Sequence, residues 1–371
     1  MVSIEEALGG RTAGYPELGL LPAVSFEPDR NLVLLVIDGL GYDWLSRRSG
    51  VLREHLQGSM TSVCPPTTAS AITTFLTGAA PQQHGFTGWF SWFRELGSVL
   101  AILPFKARCS SEPLSDVTYT PADLCGAPPL TSRLKLPTHT VAPDWMADSA
   151  FNRAFQNDTR MWPYKGMDGL FSATVKAVKK DKAPAFVYSY WPEYDSLSHM
   201  FGVGSLEVEQ HFEQLDQAFA RFLKALKGTG TRLIVTADHG FIDSPPERMI
   251  EIADHPELAD TLIMPLCGEP RLAYCYVHPE RRERFENYIG NELAHAVDLK
   301  PSSQLIEQGW FGLGEPHPEL KERVGHYTMV LKENYKVRHW ILGEKPHQHL
   351  GVHGGVSEQE MRVPLIVVDD L

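Results

Sequence analysis

The sequence predicts an α/β fold: a central, mostly parallel sheet sandwiched between helices, with an inserted α+β cap domain. Two peptides lead to this prediction. Residues 31–37 and 233–237 are largely apolar runs that end in Asp38 and in Asp238-His239, and glycine follows each of them. Such runs are typical of parallel strands that are buried on both faces. Ligands bind at the carboxyl edge of such sheets, so these polar residues are candidate site residues.

Composition indicates a folded protein of two or so domains, because the chain has 371 residues of which 43% are hydrophobic. The net charge of −12 argues against a nucleic-acid polymer as partner, although bound divalent cations could still attract a small anionic substrate.

Five cysteines without a close pair predict reduced thiols. The chain shows no secretory leader pattern and no apolar run of membrane-spanning length, so we expect a cytoplasmic protein without a membrane partner.

The elements between the two peptides alternate between strand and helix patterns. A weaker strand within residues 51–64 leads to Pro65 and Pro66, which fix the entry to a short buried helix over 69–77 that ends at Gly78. Residues 86–140 are expected to form loops and short strands over the site. Two helical stretches follow within 148–180, then a buried strand over 185–190. Residues 205–227 have the spacing of an amphipathic helix.

The sequence pattern changes after Gly240, and this change sets the predicted domain bounds. Residues 1–242 form the catalytic α/β core, and residues 1–30 wrap its surface. Residues 243–345 contain hairpin-like strands and a helix near 279–295, which indicates an inserted cap subdomain. The strand pattern of 360–368 suggests that residues 346–371 complete the core, because insertions are tolerated at loop tips.

Further polar residues have the types and spacing of a metal site. Asp195 and His199 are four residues apart and share one face of a helix, where they bind a metal or form an ordinary surface pair. His353 stands among glycines, either at a crowded site or in a flexible loop. His347 and His349 are expected to face solvent. Asp38 itself could be only a helix N-cap.

A threonine pair precedes the helix over 69–77. Thr68 either caps this helix or presents its hydroxyl at the positive end of the helix dipole, where phosphate binds. A threonine hydroxyl is a weak nucleophile unless a base or a metal lowers its pKa. Thr67 is the rival candidate. No Arg stands beside Thr68 in the sequence to bind a further oxygen of a dianion, which favours diesters over monoesters as substrates.

Taken together, these motifs resemble the alkaline phosphatase superfamily, and most of all its nucleotide pyrophosphatase/phosphodiesterase branch. The similarity spans almost the whole chain, and the motifs occur in the family's order. They are Val-Ile-Asp38-Gly, Pro-Pro-Thr-Thr68, Gln-Gln-His84-Gly, Asp195-x-x-x-His199-x-x-Gly202, Thr-Ala-Asp238-His239-Gly and Gly-Val-His353-Gly-Gly.

The resemblance implies a hydrolase with two divalent metal ions, Zn²⁺ in the first place and Mn²⁺ as the alternative. Asp195, His199 and His353 would hold one ion. The other would be held by Asp38, Asp238 and His239, with Thr68 as the nucleophile that also binds it. The reaction would pass through a phosphothreonine, and the partner would be a small phosphorylated substrate. His84 is expected to have a structural role.

Three positions depart from the family's pattern. Ala69 stands where nucleotide-cleaving relatives carry a base-stacking Phe, and Trp89 stands where they carry an Asn that holds a phosphoryl oxygen. Cys64-Pro-Pro-Thr-Thr68 has Thr in place of the Arg of the sulfatase motif, which excludes formylglycine chemistry. The first two departures leave nucleotide specificity open. Trp89 and Tyr190 are the candidate substrate-binding residues.

Several alternatives to a phosphodiesterase or pyrophosphatase stay open. They are a phosphomonoesterase, a hydrolase of phosphonates such as phosphonoacetate, a mutase, and a metal-stabilised binding protein without turnover. The segment from Trp89 to Phe93 could also form a protein-interaction patch. The sequence does not determine the oligomeric state.

Overall fold

A computed structural model describes residues 1–10, 15–19, 30–114, 117–344, 348–369 and 371. His347 and most of the segment over 11–29, for which sequence analysis made predictions, therefore lie outside the described residues. The strands are β1 Asn31–Ile37, β2 Leu56–Thr61, β3 Phe90–Phe93, β4 Ser98–Ala101, β5 Lys106–Ala107, β6 Thr138–Pro143, β7 Arg160–Tyr164, β8 Phe186–Trp191, β9 Thr231–Thr236, β10 Ile242–Asp243, β11 Met249–Glu251, β12 Cys267–Glu269, β13 Leu272–Cys275, β14 Val297–Pro301, β15 Tyr327–Leu331, β16 Lys336–Arg338, β17 Gly351–Val352 and β18 Arg362–Val368.

Helices connect most of these strands. They are α1 Val2–Ala7, α2 Tyr42–Ser46, α3 Val51–Glu54, α4 Thr68–Thr77, α5 Pro81–His84, α6 Pro121–Leu124, α7 Asp144–Ala147, α8 Ala150–Gln156, α9 Gly166–Val178, α10 Glu193–Phe201, α11 Leu206–Leu226, α12 Pro256–Ala259, α13 Arg282–Tyr288, α14 Ser302–Glu307, α15 Leu320–Arg323 and α16 Glu358–Met361. Among the residues that the structure describes, no helix combines the length and the apolar character needed to cross a bilayer.

The central sheet has the strand order β2-β18-β9-β1-β8-β6-β7. The pairs from β9 to β7 are parallel, whereas β18 runs antiparallel to both of its neighbours. The predicted mostly parallel sheet is therefore confirmed, and the two peptides that predicted it form the neighbouring strands β1 and β9. Their carboxyl ends lie at the same edge of the sheet.

The central sheet is buried on both faces, which explains the apolar character of its strands. In β1, Val33, Leu35 and Ile37 pack into a core shared with α9 and α11. The alternate residues Leu32, Leu34 and Val36 pack on the other face, against α4 and α8. The predicted sandwich of helices around the sheet is thus confirmed, and so is the apolar stripe of α11, whose members Phe212, Leu215, Phe219, Phe222, Leu223 and Leu226 are all buried.

A second sheet combines two distant parts of the chain. Its strand order is β14-β15-β13-β12-β3-β4-β5. Strands β12 to β15 come from the segment predicted to be an insertion, and β3 to β5 come from residues 90–107. The contact between the two parts is the antiparallel pairing of Gly268 with Phe90. The domain bounds at 242 and 345 stay a prediction, since this sheet contains strands from both sides of the first bound.

A buried ion pair connects the second sheet to the last segment of the chain. Arg271 donates to Glu360 through Nε and Nη2, over 3.1 and 3.0 Å, and the two side chains are 1% and 0% exposed. Glu360 also accepts hydrogen bonds from Gly355 N (2.7 Å) and Ser357 Oγ (2.6 Å). The carboxylate therefore shapes the loop that follows His353.

Arg271→Met should lower the free energy of unfolding by about 3–5 kcal/mol, because it leaves a buried carboxylate without its counter-charge. The urea midpoint of the variant measures this loss. Arg284→Met is the matched control: its ion pair with Asp260 is half-exposed, so its loss should cost under about 1 kcal/mol. Equal shifts for the two variants would contradict the assigned role of the buried pair.

Candidate active site

Two neighbouring strands of the central sheet deliver polar side chains to one edge. Asp38 follows β1, and Asp238 and His239 follow β9. Gly39 has a positive φ of 76°, and a Cβ there would lie 2.4 Å from the ring of Phe241. Only glycine allows this close approach, which turns the chain directly after Asp38. Asp238 is held by the turn itself, since its Oδ1 accepts hydrogen bonds from Gly39 N and His239 N, both at 3.0 Å.

The other predicted ligands reach the same edge from two further elements. Helix α10 starts directly after β8 and carries Asp195 and His199 one turn apart, with His199 Nε2 3.4 Å from Asp195 Oδ1. His353 follows β17, which pairs with β10 beyond His239. The ring of His353 stacks on that of His239 at a centroid distance of 3.6 Å.

His239 lies at the centre of the resulting cluster. Its Nε2 is 3.3, 3.6 and 3.9 Å from carboxylate oxygens of Asp38, Asp238 and Asp195. Two groups of ligand atoms each lie within 4.8 Å of one another: Asp38, Asp238 and His239 form one, and Asp195, His239 and His353 form the other. The first group matches the predicted set for one ion. The second contains His239 where the resemblance implied His199. His199 lies beside this group, with its Nε2 3.4 Å from Asp195 Oδ1.

The donor set fits divalent cations. Asp38 Oδ1, Asp195 Oδ1 and Asp238 Oδ2 are buried and accept no hydrogen bond from any described residue. A buried carboxylate oxygen without a donor is costly unless a cation binds it. Carboxylates and imidazoles are the usual ligands of Zn²⁺ and related ions. These residues could therefore hold two metal ions.

The protonation preferences of the cluster agree with this assignment. Burial raises the pKa of Asp38 and of Asp195 well above the usual value, and repulsion between the neighbouring carboxylates raises it further. Burial lowers the pKa of His199, His239 and His353. The imidazoles are therefore neutral and able to bind a metal, whereas the carboxylates need a nearby positive charge to ionise.

Thr68 and Thr67 have different environments. Thr67 is the N-cap residue of α4, is fully buried, and donates its hydroxyl hydrogen to Glu269 Oε1 at 2.6 Å. Thr68 is the first residue of the helix, and its Oγ1 lies 3.2 Å from His239 Nε2. The hydroxyl beside the candidate metal ligands is thus that of Thr68.

Tyr190 and Trp89, the candidate substrate-binding residues, both have protein contacts. Tyr190 donates its hydroxyl hydrogen to Asp38 Oδ2, so it orients a candidate metal ligand. Trp89 donates its backbone N–H to Glu269 Oε1 at 2.6 Å, and its side chain is partly exposed. His84 is buried, contacts Thr74 Oγ1 at 3.1 Å, and accepts a hydrogen bond from Phe86 N at 3.0 Å.

The expectation that His349 faces solvent is wrong. Its ring is partly buried and lies 4.4 Å from the ring of His199, between centroids. The carbonyl oxygen of His349 accepts a hydrogen bond from the buried Lys336 Nζ at 2.6 Å, which fixes this loop. The sequence could not show this, because the histidine follows a polar, glycine-containing stretch that gives no sign of burial.

Two adjoining cavities open on the cluster. The smaller has a volume of about 340 Å³ and the larger about 1070 Å³. Thr68, Trp89, Asp195, Arg108 and Arg338 line both of them. Arg338 is a cation of the candidate site that sequence analysis missed, because 270 residues separate it from Thr68 and no motif surrounds it.

The fold and this site define a hydrolase of phosphoric ester bonds in the alkaline phosphatase superfamily. The family model for type I phosphodiesterase/nucleotide pyrophosphatase matches residues 32–355, and the chain belongs to this family. The predicted family and class of enzyme are thus confirmed. No curated protein matches the chain in sequence.

Solved structures share the fold at low identity. Murine ectonucleotide pyrophosphatase/phosphodiesterase 5, in an inactive form in complex with AMP, is 17% identical with a TM-score of 0.68; the alignment covers 92% of this chain and 88% of that one. Phosphonoacetate hydrolase from Sinorhizobium meliloti 1021, in complex with phosphonoformate, is 16% identical with a TM-score of 0.64, over 91% and 90% of the two chains.

Proposed function

We propose that this protein hydrolyses small phosphodiesters or pyrophosphate-type substrates through a phosphothreonine at Thr68, with two divalent cations bound beside it. Zn²⁺ is the first candidate for these ions and Mn²⁺ the second. The observation that carries the proposal is the position of the Thr68 hydroxyl, which lies 3.2 Å from a histidine of the cluster and lines both cavities.

The position of Thr68 suits a nucleophile. Thr67 has its hydroxyl engaged by Glu269, whereas Thr68 Oγ1 contacts a buried imidazole. The N-terminus of α4, a helix of ten residues, adds a positive dipole where a phosphoryl oxygen would lie. A substrate phosphorus in front of Thr68 would thus meet both the attacking oxygen and a favourable field.

Asp38, Asp238 and His239 would hold one cation, and Asp195 and His353 the other, with His199 next to Asp195. Bound cations would lower the pKa of the Thr68 hydroxyl and neutralise charge on the phosphoryl group. Tyr190 would keep Asp38 oriented through its hydrogen bond, in addition to lining the larger cavity.

The reaction then has two displacement steps. The Thr68 hydroxyl releases its proton to solvent as its oxygen attacks phosphorus. The bond from phosphorus to the leaving group breaks, and the leaving group departs with the electron pair and takes up a proton from water. Water then attacks the phosphothreonine and restores the threonine hydroxyl as phosphate or a monoester leaves. Such a covalent route divides one difficult displacement into two easier ones. Phosphoryl transfer depends mainly on positioning and charge, which the bound cations and the helix dipole would supply.

A chelation experiment with three substrates tests this function. Treatment with EDTA should reduce hydrolysis of bis-p-nitrophenyl phosphate roughly 10³-fold or more, because the charge that stabilises the transition state is removed. Added Zn²⁺ or Mn²⁺ should restore it. Hydrolysis of the diester should exceed that of p-nitrophenyl phosphate and of phosphonoacetate.

Each other outcome identifies a different function. Faster hydrolysis of p-nitrophenyl phosphate would make the protein a monoesterase, and faster release of phosphate from phosphonoacetate would make it a phosphonate hydrolase. Tight Zn²⁺ binding without hydrolysis of any of the three would contradict an enzyme and favour a binding protein. Activity that survives complete metal removal would contradict the proposed site.

A further inference from the structure

Arg338 is the last residue of β16, and its backbone is firmly held. Lys336, two residues earlier, donates from Nζ to the carbonyl oxygens of Ser244 (2.9 Å) and His349 (2.6 Å). Val337 N donates to Pro270 O at 2.8 Å. These contacts fix the strand against the loop that precedes His353. The position of the Arg338 backbone beside the cavities is therefore set by the fold.

The guanidinium group of Arg338 has no anionic partner. Within the part of the chain that the structure describes, it donates no hydrogen bond and forms no ion pair within 4 Å, and its close contact is the ring of Trp340, 5.4 Å from the centroid. Of the acidic groups, Glu269 raises the pKa of Arg338 the most, and its Oε1 already accepts from Thr67 and Trp89. Five N–H donors are thus available on a side chain that lines the same two cavities as Thr68.

Arg108 lines the same cavities as Arg338 but, unlike Arg338, has hydrogen-bond and ion-pair partners among the described residues. It donates from Nε to Glu344 Oε1 at 2.7 Å and from Nη1 to Leu266 O at 2.7 Å, and its Nη2 donates to His339 O and Glu344 Oε2. Its charge and its donors are satisfied within the protein. Arg108 therefore has a structural role in holding the wall of the cavity, and Arg338 is the arginine lining both cavities that has no ion pair with a described residue.

An arginine in this position stays charged. Burial lowers the pKa of Arg338 to about 10, and Glu269 opposes that decrease. A partly buried cation without an anion is costly, and an oxyanion of a ligand would remove this cost. Guanidinium groups bind carboxylates and phosphates through two parallel hydrogen bonds. The unpaired guanidinium group therefore favours a substrate that carries a second negative group.

We propose that Arg338 binds an oxyanion on the leaving-group side of the substrate, so that a second anionic group near the phosphorus that Thr68 attacks strengthens substrate binding. This group is a further phosphate, as in a pyrophosphate bond, or a carboxylate. The inference rests on the proposed function, which it narrows. It leaves the argument from sequence about the attacked phosphoryl group unchanged, because Arg338 would bind a different group of the substrate.

Binding measured without turnover tests the proposal. Three ligands are titrated by calorimetry into the Zn²⁺-loaded Thr68→Ala variant: methylphosphonate with one anionic group, phosphonoacetate with an added carboxylate, and methylenebisphosphonate with an added phosphonate. At least one of the last two should bind about 10- to 100-fold more tightly than methylphosphonate, as expected for a charge-assisted hydrogen-bond pair. The tighter of the two identifies the second anion.

Adding Arg338→Met should reduce this difference in affinity to within about threefold. Arg338→Lys should retain part of it, because lysine keeps the charge but lacks the two parallel N–H donors of a guanidinium group. Arg282→Met is the matched control: it removes one exposed arginine from α13, which does not line either cavity, and should leave the advantage intact. Arg338→Gln provides a second uncharged variant if the methionine variant folds poorly.

Two results would overturn the proposal. One is an unchanged advantage in the Arg338 variants, and the other is no advantage in the parent protein. An equal loss of affinity for methylphosphonate would also overturn it, since Arg338 would then bind the attacked group. The failure of the proposed function is seen separately in the three-substrate assay, because calorimetry requires no hydrolysis.

Discussion

Thr68→Ala should abolish hydrolysis of bis-p-nitrophenyl phosphate, with kcat reduced roughly 10⁴-fold or more, as is usual when the nucleophile of a covalent mechanism is removed. The variant should keep its metal content, because six carboxylate and imidazole side chains of the cluster remain. Elemental analysis together with steady-state kinetics gives both values. Normal activity in this variant would remove Thr68 from the reaction.

Two neighbouring variants sharpen this test. Thr68→Ser keeps a hydroxyl in the same place and should retain substantial activity. When the substrate is radiolabelled at phosphorus, its phosphoryl group should be trapped on the serine after an acid quench. Thr67→Val removes the hydrogen bond to Glu269 but no atom from the cluster. It should lower activity far less than Thr68→Ala. If Thr67→Val were instead the inactive variant, the rival nucleophile from sequence analysis would be the correct one.

The central sheet and its edge could be predicted from sequence because their signals are local. Residues 32–37 of β1 and 233–235 of β9 are buried and apolar, and Asp38 and Asp238 follow these runs. Parallel neighbours place such ends together without further information. The helical spacing of Asp195 and His199 is equally local, and the structure shows α10 where that spacing indicates a helix.

The parts that could not be predicted depend on contacts between distant segments. Residues 86–140 were expected to form loops and short strands over the site, yet β3 to β5 belong to the second sheet. These strands have only two to four residues, and the partner of β3 lies about 180 residues further along the chain, so no local pattern reveals the pairing. Arg338 enters the site by the same long-range assembly.

The carboxylates of the cluster destabilise the metal-free protein but stabilise the metal-bound protein. One substitution separates these two effects. Asp38, Asp195 and Asp238 are close enough that each of the first two has its pKa raised by its neighbours as well as by burial. Without cations, this repulsion destabilises the native state. With cations, the same carboxylates provide binding energy that stabilises the protein by mass action. Removing one carboxylate should therefore have opposite effects in the two states.

Asp195→Asn should cost about one metal equivalent per chain and yet raise the melting temperature of the metal-free protein, because it removes one charge from the buried carboxylates at constant volume. The stabilisation gained on adding Zn²⁺ should shrink. Elemental analysis and thermal melts with and without EDTA measure both effects.

His353→Ala should also lose one equivalent but gain no metal-free stability, since it removes a neutral ligand. His211→Ala, a histidine stacked on Trp191 outside the cluster, should keep both equivalents. Full metal occupancy in Asp195→Asn and His353→Ala would contradict the assignment of these ligands.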